Sequence, residues 1–318
     1  MLLHGIVLTS VDGMKITVAI ATTGRPDIAG HALRDLARQT RLPDRIVISA
    51  AVPGDIGETE IAPVRPEVLY GKRGLTVQRN AILDALRDED IVLFLDDDFV
   101  MDAVYLAGLE DLFRARPDIC IVTGNVLADG IGNAGLTLAQ ALRILDAHPA
   151  RPGGRGGALV PVNNGYGCNM AFRCAPIRAH GIRFDENLPL YGWLEDVDFS
   201  RRVAAHGGCV RAMALHGVHL GAKGGRTSGL RLGYSQVANP VYLFRRETMR
   251  RGHALRMICR NIAANAAKSL RPEPWVDRRG RLRGNLLALA DLVRGRIDPG
   301  RILTLGSGPD ARARPPHA

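Results

Sequence analysis

Disulfide chemistry has little to work with in this chain of 318 residues. Its five cysteines (Cys120, Cys168, Cys174, Cys209, Cys259) are an odd number with no CxxC spacing. That excludes a disulfide framework and gives no sign of a structural zinc site, so reduced, mostly buried thiols are expected. Long apolar runs are missing too: none approaches the roughly 18 to 20 residues of a membrane-spanning helix. Residues 1–20 lack the basic start, long apolar stretch and small-residue cleavage site of a signal peptide, and a cytoplasmic chain is the expectation. No internal repeat is visible. Acidic residues are scarce at one end only. Residues 1–240 hold 25 Lys/Arg against 26 Asp/Glu, whereas residues 241–318 hold 17 against 6.

A basic tail behind a neutral body points to contact with a polyanion or an anionic membrane, and equally to a solvated arginine-rich helical surface. The arginine clusters at 245–251 and 278–283 are the ones that would attract anionic lipid from the cytoplasmic side. The composition is otherwise ordinary, 46% hydrophobic and 23% charged, and the length suffices for one large domain or two small ones.

The β-branched run at 15–21 (KITVAIA) ends at Thr22-Thr23-Gly24-Arg25-Pro26, and helical spacing of Ile28, Leu33 and Leu36 follows. Further strands are predicted at 45–49 and 90–95, with a helix at 74–87 between them. Alternating strands and helices imply a mostly parallel α/β sheet, whose ligand crevice lies at the carboxyl ends of the strands. Residues 22–25 and 96–98 both fall there. The segment 151–157 (RPGGRGG) is too rich in Gly and Pro for regular structure, and beyond about residue 235 the pattern turns helical.

Asp96-Asp97-Asp98 directly follows the apolar strand 91–95. Clustered carboxylates repel unless a cation neutralises them, which suits Mg²⁺ or Mn²⁺ shared with substrate phosphates. An acidic turn capping the next helix is the plainer alternative. Glu195-Asp196-Val197-Asp198 follows Tyr191-Gly192-Trp193-Leu194, whose aromatics would suit a sugar-binding wall. Asp196 would deprotonate a hydroxyl if burial raised its pKa. The same acids would equally suit the first turn of a helix, near its positive end. His216 and His219 precede a glycine-rich basic loop in which Lys223 or Arg226 could stabilise a departing diphosphate, with His219 completing a metal shell.

In this order and spacing the segments resemble the inverting family 2 glycosyltransferases of GT-A fold, over roughly residues 14–225. Val18-Ala19-Ile20-Ala21-Thr22-Thr23-Gly24-Arg25-Pro26 resembles the first strand and nucleotide loop. Gly74-Leu75-Thr76-Val77-Gln78-Arg79-Asn80 is similar to a G-x-x-x-x-R-N helix start, and residues 96–98 match the DXD element. Residues 167–173 with Phe184-Asp185-Glu186 resemble the acceptor-side motif, and Glu195-Asp196-Val197-Asp198 the ED motif.

The resemblance implies a GT-A domain at 14–235, with a Rossmann-like nucleotide-sugar half at about 14–130, an acceptor half at about 158–235 and a basic helical extension at 236–318. It implies that Asp96 and Asp98 hold the divalent metal, Mn²⁺ or Mg²⁺, and the donor. Thr22, Thr23, Arg25, Arg79 and Asp97 would contact the nucleotide, and Asp196, with Glu195 beside it, would act as the base. The donor would be a nucleoside-diphosphate sugar, UDP being favoured, and the acceptor a glycan or lipid-linked hydroxyl. Nucleic acid is not expected as a partner. One departure stands out: the Asp that reads the nucleobase after the second strand in many members is replaced here by Asp55, at a longer offset. A sugar nucleotidyltransferase is the competing enzyme reading, but it usually needs a glycine-rich basic triphosphate loop, and residues 22–26 hold one Gly and one Arg. A polyanion-binding protein without turnover is the non-enzymatic one.

Overall fold

A computed structural model describes residues 13–60, 62–149, 157–224 and 228–306. Residues 151–156 of the RPGGRGG segment, and Arg226, fall outside that description. The first half runs β1 (Ile16–Ala21), α1 (Pro26–Leu36), β2 (Arg45–Ala50), β3 (Glu67–Tyr70), α2 (Leu75–Ala85), β4 (Ile91–Asp96), β5 (Phe99–Met101), α3 (Tyr105–Ala115) and β6 (Ile119–Asp129). The second half runs α4 (Leu138–Ala147), β7 (Leu159–Pro161), β8 (Asn169–Arg173), α5 (Cys174–His180), α6 (Glu195–Val203), β9 (Gly208–His219), α7 (Gly229–Arg245), α8 (Arg251–Lys268) and α9 (Arg278–Val293).

The strands form one sheet in the order β3-β2-β1-β4-β8-β6-β9-β5, with β7 paired to β9. The β1–β2, β2–β3, β1–β4 and β6–β9 ladders are parallel, while the pairings of β8 with β4 and β6, and of β5 and β7 with β9, are antiparallel. β4 is almost wholly apolar because both of its faces are covered. Ile91, Leu93 and Leu95 point into one core with Val18 and Ile20. Val92 and Phe94 alternate to the other face and pack with Phe172, Phe184 and Phe199. All five cysteines are free thiols, four of them buried, as the odd count and spacing implied.

Register brings the polar strand ends together. Asp96 pairs with Ala21 across β4 and β1, while His219 at the end of β9 pairs with both Asp129 of β6 and Phe99 of β5. Three strands therefore deliver side chains to one edge.

The C-terminal helices pack against the loop before α6 and the start of that helix. α7 and α9 cross at backbone contact: a Cβ added to Gly233 would lie 2.0 Å from the Arg281 carbonyl oxygen, and one added to Gly284 would lie 2.1 Å from that of Leu230. Gly229 and Gly233, like Gly280 and Gly284, are four residues apart and so share a helix face. Buried Asn265 and Asn285 bridge α8 and α9 to Gln236 of α7. No helix among the described residues is long and apolar enough to cross a membrane.

Candidate active site

β4 ends at Asp96, and the chain turns through Asp97 and Asp98 into β5. That turn faces the end of β9, so donor atoms of Asp96, Asp98 and His219 all lie within 4.8 Å of one another. His219 Nε2 is 3.3 Å from Asp98 Oδ1, and Nδ1 is 2.9 Å from Asp129 Oδ1. Asp129 in turn accepts the Tyr166 hydroxyl at 2.6 Å. This carboxylate–imidazole pairing is the arrangement that fixes a ligating histidine, because a proton held at Nδ1 leaves Nε2 to the metal. Burial opposes a charged imidazole at His219, yet its bonds to Asp129 and Asp98 outweigh burial and raise its pKa to about 10. The same pairing brings Asp129 down to about 2 against the opposing effect of burial. Two carboxylates and one imidazole form a donor set that accepts Mn²⁺ well and Mg²⁺ with added water or phosphate oxygens.

Asp97 turns away from this cluster. Its carboxylate accepts the Thr22 hydroxyl at 2.6 Å and pairs with Arg25 at 2.6 Å, and burial pushes its pKa up to about 7. Arg25 also lies 3.8 Å from Asp98. Thr22 and Arg25 thus brace the turn from the loop after β1. The Thr23 hydroxyl faces Gln78 Oε1 at 3.5 Å. Lys223 reaches back to the carbonyls of Gly130 and Ile131 at 2.9 and 3.2 Å.

The second wall is the start of α6. The loop before it takes three left-handed residues, Leu190, Gly192 and Leu194, and two of them carry side chains that disfavour that conformation. Such strain persists only where its surroundings enforce it. Here Leu75 donates to the Leu190 carbonyl at 2.8 Å, and the Thr76 hydroxyl donates to that of Leu188 at 3.2 Å. Glu195, Asp196 and Asp198 all stand in the first turn of α6, so they do favour the helix's positive end. Asp196 is partly open, and accepts Val197 N–H at 2.8 Å and Gly167 N–H at 3.2 Å. Burial nonetheless raises its pKa above the ordinary aspartate value. Asp198 is fully buried and serves the fold, pairing with Arg202 and accepting the Thr248 hydroxyl at 2.9 Å.

Arg79 joins the two walls. Only 2% exposed, it pairs with Glu195 and, at 3.1 Å, with Asp96, and donates to the Gly167 carbonyl at 2.9 Å. Burial drives the pKa of Glu195 well up, with Arg79 opposing it. In this arrangement Arg79 holds the two carboxylates in place, and Asp96 links it to Asp98 and His219.

Sequence reasoning missed Asp129, Tyr166 and Gln78. Gln78 Nε2 donates to the Thr22 and Ser49 carbonyls at 2.8 and 2.9 Å, tying together the ends of β1 and β2. No local motif marks Asp129: only the β6–β9 register sets it beside His219. Asp55 spends its carboxylate on the Gly24, Ala51 and Val52 N–H groups at 2.6, 3.0 and 3.1 Å, which knits the loops after β1 and β2 rather than presenting an acceptor to a nucleobase.

No protein-family model matches the chain, and no curated protein matches it in sequence. Among solved structures it is similar to TarS of S. aureus, at 14% identity over 89% of this chain and 50% of that one, with a TM-score of 0.50. It is also similar to residues 1–349 of TarS, at 13% identity over 92% of this chain and 83% of that one, with a TM-score of 0.53. The same TarS fragment in complex with UDP-GlcNAc gives 15% identity over 92% and 84%, with a TM-score of 0.54. The chain spans half the length of the longer TarS chain. Its central sheet, flanked by helices and followed by a helical extension, is of the GT-A type.

Proposed function

We propose that this protein is an inverting, metal-assisted glycosyltransferase of the family 2 kind. It would move a sugar from a nucleoside-diphosphate carrier to a hydroxyl on a glycan or lipid-linked acceptor met at a cytoplasmic membrane surface. The observation that carries the reading is the convergence of Asp96, Asp98 and His219 at the sheet edge, together with Glu195 and the partly open Asp196 at the head of α6. The likeness in fold to a TarS fragment in complex with UDP-GlcNAc supports a nucleotide-sugar donor and favours UDP.

In this mechanism Asp96, Asp98 and His219 hold a divalent cation, which supplies charge neutralisation for the diphosphate when bound. Asp196 accepts the proton of the acceptor hydroxyl as its oxygen attacks the anomeric carbon. The bond from that carbon to the diphosphate oxygen breaks on the opposite face, so the anomeric configuration inverts. A carboxylate with a raised pKa suits this step, because general-base efficiency is greatest near the working pH. Arg79 keeps Glu195 and Asp96 in place, so the base wall and the donor wall stay in register. Thr22, Thr23, Arg25 and Asp97 shape the nucleotide loop from behind, and Lys223 or Arg226 would stabilise the charge of the departing diphosphate.

The test is turnover across a panel of UDP-, GDP- and TDP-sugars with Mn²⁺ or Mg²⁺. One donor should be turned over, a chelator should abolish the reaction, and Asp98→Ala should lose both metal response and activity. Asp196→Asn should lose transfer while still binding donor. Absence of nucleotide-sugar binding in the presence of metal would overturn the proposal.

A further inference from the structure

Helix α8 carries two apolar stripes where a helix packed on one side needs one. Ala254 and Ile258 are buried, the first against Leu188 and Val197 beside the acceptor wall and the second among α7 and α9. The other stripe is Leu255, Cys259, Ala263 and Ala266, continued by Leu270 just past the helix end, and every one of these residues is exposed. Spacings of four, four, three and four residues place them along one face of an α-helix. Leu255 is 60% and Leu270 82% exposed.

Charge says what covers this stripe. α8 holds Arg251, Arg256, Arg260 and Lys268 and no acidic residue. Arg256 and Arg260 flank the stripe one turn apart, both exposed, and neither they nor Arg251 forms an ion pair with a described residue. The arginine clusters that the sequence singles out are partly spent inside the protein: Arg246 pairs with Asp185, and Arg278 with Glu273. A second copy of the chain is a poor occupant, since face-to-face docking would set one arginine row against another.

We infer that this face of α8 seats on an anionic lipid surface, with Leu255 and Leu270 at the headgroup boundary and Arg256 and Arg260 on lipid phosphates. The inference rests on the peripheral placement proposed above. An exposed apolar stripe flanked by arginine is what an interfacial helix presents. Each arginine near such a surface strengthens binding about fivefold. Because the opposite face of α8 packs on α7 and α9, with Ala254 at its start in one cluster with Leu188 and Val197, the bilayer would lie on the far side of α8 from that cluster.

The experiment is co-sedimentation of the full chain with vesicles of neutral phosphatidylcholine, and of phosphatidylcholine mixed with phosphatidylglycerol, at low and high salt. Donor hydrolysis without vesicles is measured alongside. Binding is expected only to the anionic vesicles and should weaken with salt. R256E/R260E should cut it at least tenfold and remove most of its salt dependence, and L255S/L270S should weaken it while leaving its salt dependence in place. Both variants should keep the wild-type circular dichroism, melting temperature and soluble donor turnover. Failure of the wild type to bind anionic vesicles, equal binding by R256E/R260E, or a concentration-dependent dimer lost in L255S/L270S without lipid binding would each overturn the inference. Vesicle binding lost with turnover unchanged supports it. Vesicle binding intact in a protein that turns over no nucleotide sugar would keep it while removing the transferase reading.

Discussion

His219 can serve as a ligand because Asp129 holds Nδ1 and turns Nε2 toward Asp98. Removing that hold should act on the cation before it acts on turnover. Asp129→Asn keeps the shape but loses the charge, and Mn²⁺ affinity, read by electron paramagnetic resonance without donor, should fall about ten- to a hundredfold. Unchanged affinity would take Asp129 out of the site. As the proposed base, Asp196 should set the pH response. Burial raises its pKa, so it is protonated further up the pH scale than an ordinary aspartate and cannot accept a proton there. Transfer with saturating metal should therefore rise with pH through a midpoint above the ordinary value of about 4, and Asp196→Asn should leave a low, flat profile. A wild-type profile without this acid limb would exclude Asp196 as the base.

At the scale of elements, the α7–α9 crossing is set by glycine. A methyl at Gly233 would overlap the Arg281 carbonyl, whereas one at Gly252 on α8 would meet nothing within 4 Å. Gly233→Ala should cost about 1–3 kcal/mol by overpacking, and Gly252→Ala should gain about 0.4–1 kcal/mol by restricting the unfolded chain. Chemical denaturation of the two variants should separate in opposite directions, and equal effects would show that the crossing is not close. The glycine spacing is visible in the sequence, but which backbone each glycine meets depends on a helix about 50 residues away.

For the molecule as a whole, the C-terminal helices and the segment 185–198 leading into α6 are one packed unit. Asn239 donates to the Trp193 carbonyl at 2.6 Å, Tyr242 to Asp185 at 2.8 Å and Thr248 to Asp198 at 2.9 Å. Leu243 and Met249 share a core with Leu188 and Val197. Thr248→Val leaves the buried Asp198 short of a donor, and should destabilise the protein by about 1–3 kcal/mol. Hydrogen exchange at residues 185–198 should quicken in this variant, even though the substitution lies outside that loop. Unaltered protection there would mean that the extension and the wall move independently.

What the sequence determined by itself was whatever rests on local pattern. The apolar run of β4, the carboxylates behind it, the acidic first turn of α6 and the helical tail all follow from periodicity and from the chemistry of adjacent residues. The predicted strands at 45–49 and 90–95 lie within a residue of β2 and β4. Tertiary structure alone decided the rest. Asp97 differs from Asp96 and Asp98 only in the direction it faces, and that direction is set by Thr22 and Arg25. Asp129 and His219 stand 90 residues apart in the chain and meet through the β6–β9 ladder. Arg79 bridges two walls, and the arginines of α8 form no ion pair among the described residues while Arg246 and Arg278 are paired. A side chain's partners depend on register and packing between distant segments, and no window along the chain contains both halves of such a contact.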